Sequence, residues 1–388
     1  MHQRIALDAT SALAQGAGIG RFTRGLIQGL AACDRATPYQ VLYMRDVAHQ
    51  PRFDLPPNFE WRELPLTQKQ AVWLWQRLRL PLPAELFLRQ MPALYHSPDY
   101  TLPPLLRARG IVTVHDLSYE VVPEVHEPLL RRYLQRAVPR SIARADHVFA
   151  DSESTRQDII RHYGTDPTKI SVVYPGVEPR FRPLDPGSLQ DANVLTEVRA
   201  AYELDRPFLL NVSTLEPRKN LTTLIRAFAR LHEKDNSDLM LVIAGGGGWL
   251  GERARLAALV QELRMVGHVR FAGFIPDEWL PALLNLAEVL IYPSRHEGFG
   301  LPVLEALACG VPAITARNSS LSEVGGTAAH YIANATDIET LSNEIEIVLT
   351  NQAERERMIR AGLKHAAQFT WEATARRALA LYRDVLAS

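Results

Sequence analysis

The sequence predicts an α/β chain made of two successive parallel-sheet domains. Three observations carry this. A chain of 388 residues exceeds what a single core usually serves. Short Val/Ile/Leu-rich runs alternate with helical patterns, as in sheets covered on both faces. The alternation breaks once, in a proline-rich stretch, and then resumes.

In the first half the strand candidates are "RIALDAT", "YQVLYM", "PALYHSP", "GIVTVHD", "HVFADS" and "KISVVYP". Helical patterns such as "RFTRGLIQGLAACD" and "STRQDIIRHYG" fall between them, the second stopped by Gly164. The stretch "YPGVEPRFRPLDPGSLQDANVL", with Pro175, Pro179, Pro183 and Pro186, reads as an extended link into a connecting helix. The second half repeats the rhythm with "FLLNVST", "LMLVIAGGGG", "HVRFAGF", "EVLIYPS" and "VPAITA". From Asp337 onward the chain is mostly helical, and Thr370 is a plausible cap for the last helix. The domains expected are 1–183 and 184–370. Two such domains imply a cleft, and open parallel sheets bind ligands beyond the carboxyl ends of their strands.

Apolar residues make up 47% and charged residues 22%, the balance of a soluble enzyme or binding protein. Lys plus Arg equals Asp plus Glu, 43 each, so no global field favours nucleic acid. No apolar run approaches the ~18 residues of a membrane span, and "MHQRIALDATSALAQG" has no signal-peptide core. Cys33 and Cys309 match no metal or redox motif. A reduced, cytoplasmic protein is the expectation.

The chemistry concentrates at strand ends. In "EGFGLPVLEALACGVP" the only charges are Glu297 and Glu305. Gly298, Phe299 and Gly300 form a turn after "EVLIYPS", and Leu301 with Pro302 opens a helix that Gly310 and Pro312 end. Backbone N–H groups of such a turn and helix start favour an anion or a hydroxyl-rich ligand. Val303, Leu304, Leu307 and Ala308 surround Glu305 with apolar groups, so its carboxylate needs solvent or a polar partner. A solvated acid plus a helix-dipole acid is the bland account of either glutamate alone. The two flanking a Gly-x-Gly turn favour a ligand.

"STLEPRKN" places Arg218 and Lys219 after the first strand of the second half, suited to a diphosphate, although adjacent cations are commonly solvated. "AQGAGIGRF" offers Gly16, Gly18 and Gly20 before a helix; Arg21 stands where the dinucleotide fingerprint needs a glycine. "GIVTVHDLSYE" ends a strand with His115 and Asp116. A lone His-Asp pair is more often structural, but its strand-end place makes it a site candidate. "AGGGGW" is another strand-end glycine cluster, or a flexible turn.

Together these residues resemble a retaining glycosyltransferase of the GT-B fold, in the large family-four group. The resemblance covers nearly the whole chain, and its most specific element is the E-x7-E motif "EGFGLPVLE", with "RK", "GIGRF" and "VHD" in order upstream. It implies two Rossmann-like domains facing each other, the last helix, 371–388, crossing back to the N-terminal one. It implies that Glu305 bonds the ribose of a nucleotide-sugar donor and Glu297 the donor sugar. Amides from Gly298 to Leu301 would contact sugar and phosphates. Arg218 and Lys219 would neutralise the diphosphate, with Gly18 and Gly20 closing over it. His115 would sit beside the reacting sugar with Asp116 near it, and the base would lie around Phe274 and Ile275. No cofactor and no metal is expected, since two cations and helix N-termini meet the leaving diphosphate and the chain has no Asp-x-Asp pair. A front-face transfer is the expected mechanism, because no acid stands out as a nucleophile.

The resemblance points to mannose or a deoxyhexose as the sugar, with GDP-mannose the leading donor, and to a glycan or lipid-linked saccharide as acceptor. "QAVWLWQRLRLPLPAELFLRQMPALY", with Trp73, Trp75, Leu78, Leu80, Phe87 and Leu88 among Arg77, Arg79 and Arg89, suits an inner-leaflet membrane surface or a core-packed helix equally. Arg131, Arg132, Arg136, Arg140 and Arg144 add a basic helix. The rival readings are a nucleotide-sugar epimerase of the same fold and a non-catalytic sugar-binding scaffold.

Overall fold

The computed structural model describes residues 3–16, 18–235, 238–248 and 251–388. The chain divides into two units. The first holds the chain up to Glu120, Pro128–Gly176 and Phe369–Ser388; the second holds Val121–Glu127 and Val177–Gln368. The changeover near Gly176 lies within the proline-rich link, ahead of the 183/184 boundary taken from the sequence.

The first unit is built on seven parallel strands: β1 (Ile5–Asp8), β2 (Tyr39–Met44), β3 (Phe59–Leu64), β4 (Leu94–Ser97), β5 (Arg109–Val114), β6 (His147–Ala150) and β7 (Ile170–Val172), in the order β3-β2-β1-β4-β5-β6-β7. Successive residues of one strand enter different cores. Ile5 and Leu7 join one cluster with Phe22, Leu26 and Leu30, whereas Ala6 joins Val112, Val138 and Ile142 in the other. That two-fold alternation with both faces buried is why these strands read as continuous apolar runs.

β3 was not apparent in the sequence. Its run "FEWREL" holds Glu60, Arg62 and Glu63, because it is an edge strand paired only with β2 and half exposed. Its tie to the sheet is partly aromatic: Tyr39 and Phe59, opposite one another, stack with ring centroids 4.1 Å apart.

The C-terminal helix Trp371–Ala387 belongs to this first unit. It starts at Thr370, whose hydroxyl caps the Ala373 N–H at 3.1 Å. It lies on the glycine face of the helix Gly18–Cys33: a Cβ on Gly25 would come within 2.2 Å of the Trp371 ring, and one on Gly29 within 2.4 Å of the Trp371 carbonyl oxygen. Glycines four apart make a flat strip on a helix, and here the strip seats a second helix. The buried Tyr382 donates or accepts a 2.7 Å bond with His96 on β4, fixing the helix to the sheet beneath.

The second unit carries six parallel strands: β8 (Phe208–Val212), β9 (Met240–Ala244), β10 (Val269–Gly273), β11 (Val289–Tyr292), β12 (Ala313–Ala316) and β13 (His330–Ile332), in the order β10-β9-β8-β11-β12-β13. β13 is an edge strand of three residues opened by a histidine, too short to show as an apolar run in the sequence. Among the described residues no helix is long and apolar enough to cross a membrane.

Candidate active site

In the second sheet the chain lays β9 and β10 on one side of β8, then turns back and lays β11, β12 and β13 on the other. β8 and β11, side by side, are therefore where the strand order reverses, the switch point at which such sheets bind ligands. Arg218 and Lys219 follow β8, and Glu297 follows β11. The structure brings these three sequence-predicted residues together. Arg218 donates to Glu297 Oε2 at 2.8 Å, and Lys219 donates to Glu297 Oε1 at 2.7 Å. Lys219 also donates to the Tyr292 hydroxyl at 2.8 Å, and Arg218 pairs with Glu216 at 3.3 Å.

Two cations and two acids thus share a mostly buried cluster. Burial alone would raise the Glu297 pKa, but Arg218 and Lys219 outweigh it and hold the carboxyl down to about 2. Burial and the adjacent guanidinium pull the Lys219 ammonium down, against the upward pull of Glu297 and Glu216. Both pKa values fall, with opposite effects on charge: Glu297, facing two cations, is held ionised, whereas the ammonium of Lys219, with a like charge at its side, is disfavoured. Glu297 is the firmly ionised member.

The backbone around this cluster is clamped by the segment after β12. Ser320 donates to the carbonyls of Glu297 and Phe299 at 2.9 and 2.8 Å, and Ser319 accepts the Glu297 N–H at 3.0 Å. Asn318 donates to the carbonyls of Ser294 and Arg295 at 3.0 and 3.1 Å. Gly300, at φ 107°, caps the helix Leu301–Ala308 in a conformation that side chains rarely adopt. Gly298, Phe299, Gly300 and Leu301 are therefore the turn and helix start expected from the sequence. Glu305 lies one turn inside that helix and is only 1% exposed.

Phe274 and Ile275 follow β10, at the same end of the sheet but two strands from β8. Phe274 is 66% exposed, an unusual state for a large aromatic, while Ile275 is buried. Of the glycines at 245–248, the first and last are close-packed, while a Cβ on Gly246 or Gly247 would meet nothing within 4 Å. A Cβ on Gly245 would come within 1.9 Å of the Ser213 carbonyl oxygen, and one on Gly248 within 1.6 Å of that of Leu215. They let the loop after β9 press against the loop that carries Glu216, Arg218 and Lys219.

In the first unit, His115 and Asp116 follow β5 but do not pair with each other. His115 Nδ1 lies 2.7 Å from Asp151 Oδ2, beyond β6, and Nε2 lies 2.9 Å from the Pro98 carbonyl oxygen. Asp116 accepts from the Ser118 N–H at 2.9 Å and its hydroxyl at 2.6 Å, a local turn. Gly18 and Gly20 sit in the first turn of the helix Gly18–Cys33. A Cβ on Gly18 would meet nothing within 4 Å, but one on Gly20 would lie 2.0 Å from the Gln15 carbonyl oxygen. Gly20 is thus required by the fold itself.

The basic–aromatic segment divides. Trp73 is 53% exposed, with Leu78 and Leu80 exposed as well, whereas Trp75 is 6% exposed and donates from Nε1 to the Leu82 carbonyl at 2.9 Å. Phe87 and Leu88 pack against the core. Burial lowers the Arg140 pKa, and the like charges of Arg79 and Arg136 add to the effect. Among the described residues no three of His, Cys, Asp or Glu are grouped to hold a metal ion.

Two family models match the chain: Glycosyltransferase Family 4 over residues 16–181, and Glycosyl transferases group 1 over residues 196–365. The O-antigen chain mannosyltransferase B of Escherichia coli is 33% identical over 279 residues, covering 72% of this chain and 71% of that protein. The chain belongs to glycosyltransferase family four. Among solved structures, sucrose-phosphate synthase from Thermosynechococcus elongatus superposes with a TM-score of 0.78 at 22% identity over the full length of both chains. The Anabaena protein HepE, in complex with UDP and glucose, gives 0.71 at 17% identity over 98% of this chain and 100% of that one. Such likenesses show the fold, which is GT-B.

In this family-four glycosyltransferase, sequence reasoning passed over several residues of the site. Glu216 stood inside "STLEPRKN", and Asp151 inside "HVFADS", but neither had a sequence neighbour to mark it. The clamp of Asn318, Ser319 and Ser320 carried no charge and no spacing signal; only the packing of β12 beside β11 brings it to Glu297.

Proposed function

We propose that this glycosyltransferase takes a hexosyl group from a nucleotide sugar, with GDP-mannose the leading donor, and passes it to a glycan or lipid-linked saccharide with retention of configuration. The observation that carries the reading is the buried cluster of Arg218, Lys219, Glu216 and Glu297 at the switch point of the second sheet. The similarity to an O-antigen mannosyltransferase supports mannose and polysaccharide assembly, and a fold shared with a protein bound to UDP and glucose supports a nucleotide-sugar donor.

In this reading an incoming diphosphate engages Arg218 and Lys219 and releases Glu297 to the hydroxyls of the donor sugar. The charge that grows on the leaving diphosphate meets those two cations and the amides of the turn 298–301. No metal is needed for that task. Glu305 holds the ribose, and the exposed face of Phe274 takes the base. The acceptor attacks from the face that the diphosphate leaves, and the phosphate oxygen takes its proton. We place the enzyme in the cytoplasm, with Trp73, Leu78, Leu80 and the arginines Arg79, Arg136 and Arg140 toward an anionic membrane face.

The test is calorimetric binding of GDP, UDP, TDP and ADP and their sugar conjugates, with EDTA throughout. Micromolar binding of one base series is expected, GDP first, followed by sugar transfer from that donor. No binding of any series would remove the reading, and binding that requires a divalent ion would remove its metal-free part.

A further inference from the structure

The carboxyl edge of the first sheet holds an arrangement that this account of the donor does not use. His115 is buried, and both of its ring nitrogens face groups that only accept hydrogen bonds: the Asp151 carboxylate at 2.7 Å and the Pro98 carbonyl at 2.9 Å. A neutral imidazole has one N–H. It would satisfy one contact and set bare lone pairs against the other acceptor. Opposite an ionised Asp151, only the doubly protonated ring satisfies both.

The rest of the residue is enclosed too. Thr155 donates its hydroxyl to the His115 carbonyl at 3.0 Å, and the Ser152 hydroxyl donates to Thr155 at 3.1 Å. Phe22 and Tyr100 meet the imidazole edge-on, with centroids 5.1 and 5.4 Å away. Neither nitrogen is left to bond a sugar or to take a proton.

We infer that Asp151 is a positioning residue that locks His115 as a doubly donating imidazolium, so that His115 serves the transfer as a fixed charged strut and never as its base. The inference rests on the glycosyltransferase reading above and deepens it, because the acceptor's proton must then leave by another group. The electrostatics agree. Burial alone would favour neutral imidazole, but Asp151, then Asp99, outweigh it and raise the pKa to about 9. Asp99, after β4, is itself raised to about 6 by burial, with Asp8 at the end of β1 adding to it. Burial raises the pKa of Asp151, and Asp116, on the turn of His115, adds to this, while His115 pulls it back toward the ionised form. Buried His96, lowered to about 3, is neutral and adds no charge. With its folded pKa raised, His115 keeps its charge from acid pH up to about pH 9.

The experiment is a histidine ring NMR titration of the whole enzyme, with His115→Gln to assign the signal, alongside kcat and KM against pH. In the wild type the His115 ring shows no titration between about pH 5.5 and about pH 8, and both nitrogens carry the shifts of protonated positions. Asp151→Asn keeps an acceptor but removes the charge, so the His115 midpoint drops by about two pH units or more. In that variant kcat falls as pH rises through the new midpoint while the donor KM stays near the wild-type value, and Asp151→Glu restores the flat profile. A wild-type ring that titrates between about pH 5.5 and about pH 7.5, or a midpoint unmoved in Asp151→Asn, overturns the inference. The wild-type titration decides the matter even if Asp151→Asn does not fold. If no nucleotide sugar is turned over at all, the transferase reading fails separately, and the titration still reports on His115.

Discussion

Glu297→Gln is the most informative single change, because the amide mimics the protonated carboxyl in size and removes only the charge. The folded-state pKa of Glu297 lies at about 2 against an ordinary 4.5. At about 1.36 kcal/mol per pH unit, that gap corresponds to roughly 3 kcal/mol of stability. A carboxyl with a depressed pKa contributes this stability in full above its unfolded value and loses it as pH falls toward the folded value. At neutral pH the variant is therefore expected to be less stable by about 3 kcal/mol, a figure capped because Lys219, already pulled down by burial and Arg218, can release its proton. Between pH 5 and pH 3 the wild type should lose about 2 kcal/mol more than the variant. Urea unfolding at pH 7, 5 and 3 reads both numbers. The same variant takes the Glu297 charge away from Arg218 and Lys219, leaving Glu216 beside Arg218, so nucleoside diphosphate binding should hold or tighten while sugar transfer falls. Equal stability and equal pH slope in wild type and variant would refute the claim that the pair is a strong buried interaction. Weakened nucleoside diphosphate binding would refute the exchange between Glu297 and the phosphates.

Three further outcomes are expected. Glu305→Ala should weaken nucleoside diphosphate binding by roughly 10- to 150-fold, the worth of a charged hydrogen bond, and equal affinity by calorimetry would end its assignment to the ribose. Gly25→Val should force the C-terminal helix off its seat, since the Trp371 ring occupies that space. The expected loss is about 1–3 kcal/mol, with faster proteolysis of the last helix, and an unchanged urea midpoint would contradict it. Replacing Trp73, Leu78 and Leu80 by serine should abolish binding to anionic vesicles without unfolding the protein, because Trp75, the indole that the core uses, is left in place. Failure of the unaltered enzyme to bind such vesicles would dispose of the membrane surface.

Much of the architecture was readable from residue order alone, for a local reason. Interior parallel strands are buried on both faces, so β1, β2, β4, β8, β9 and β11 appear as apolar runs whatever surrounds them. Helix ends were readable for the same kind of reason: Gly164, at φ 61°, and the Thr370 cap act within a few residues of themselves. The E-x7-E stretch was readable because turn, helix start and both acids lie within one short segment. Of the four edge strands, β7 and β10 still show as apolar runs, but β3, with three charges in six residues, and β13, only three residues long and opened by a histidine, do not. The pairing of Arg218 and Lys219 with Glu297 joins loops 78 and 79 residues apart, and only the crossing of the chain from β8 to β11 decides it. Likewise, His115 faced Asp116 in the sequence but Asp151 in space, because β5 and β6 are neighbours and the adjacent aspartate turns to Ser118. Local patterns determined which elements form; the order in which the sheets assembled them determined which charges meet.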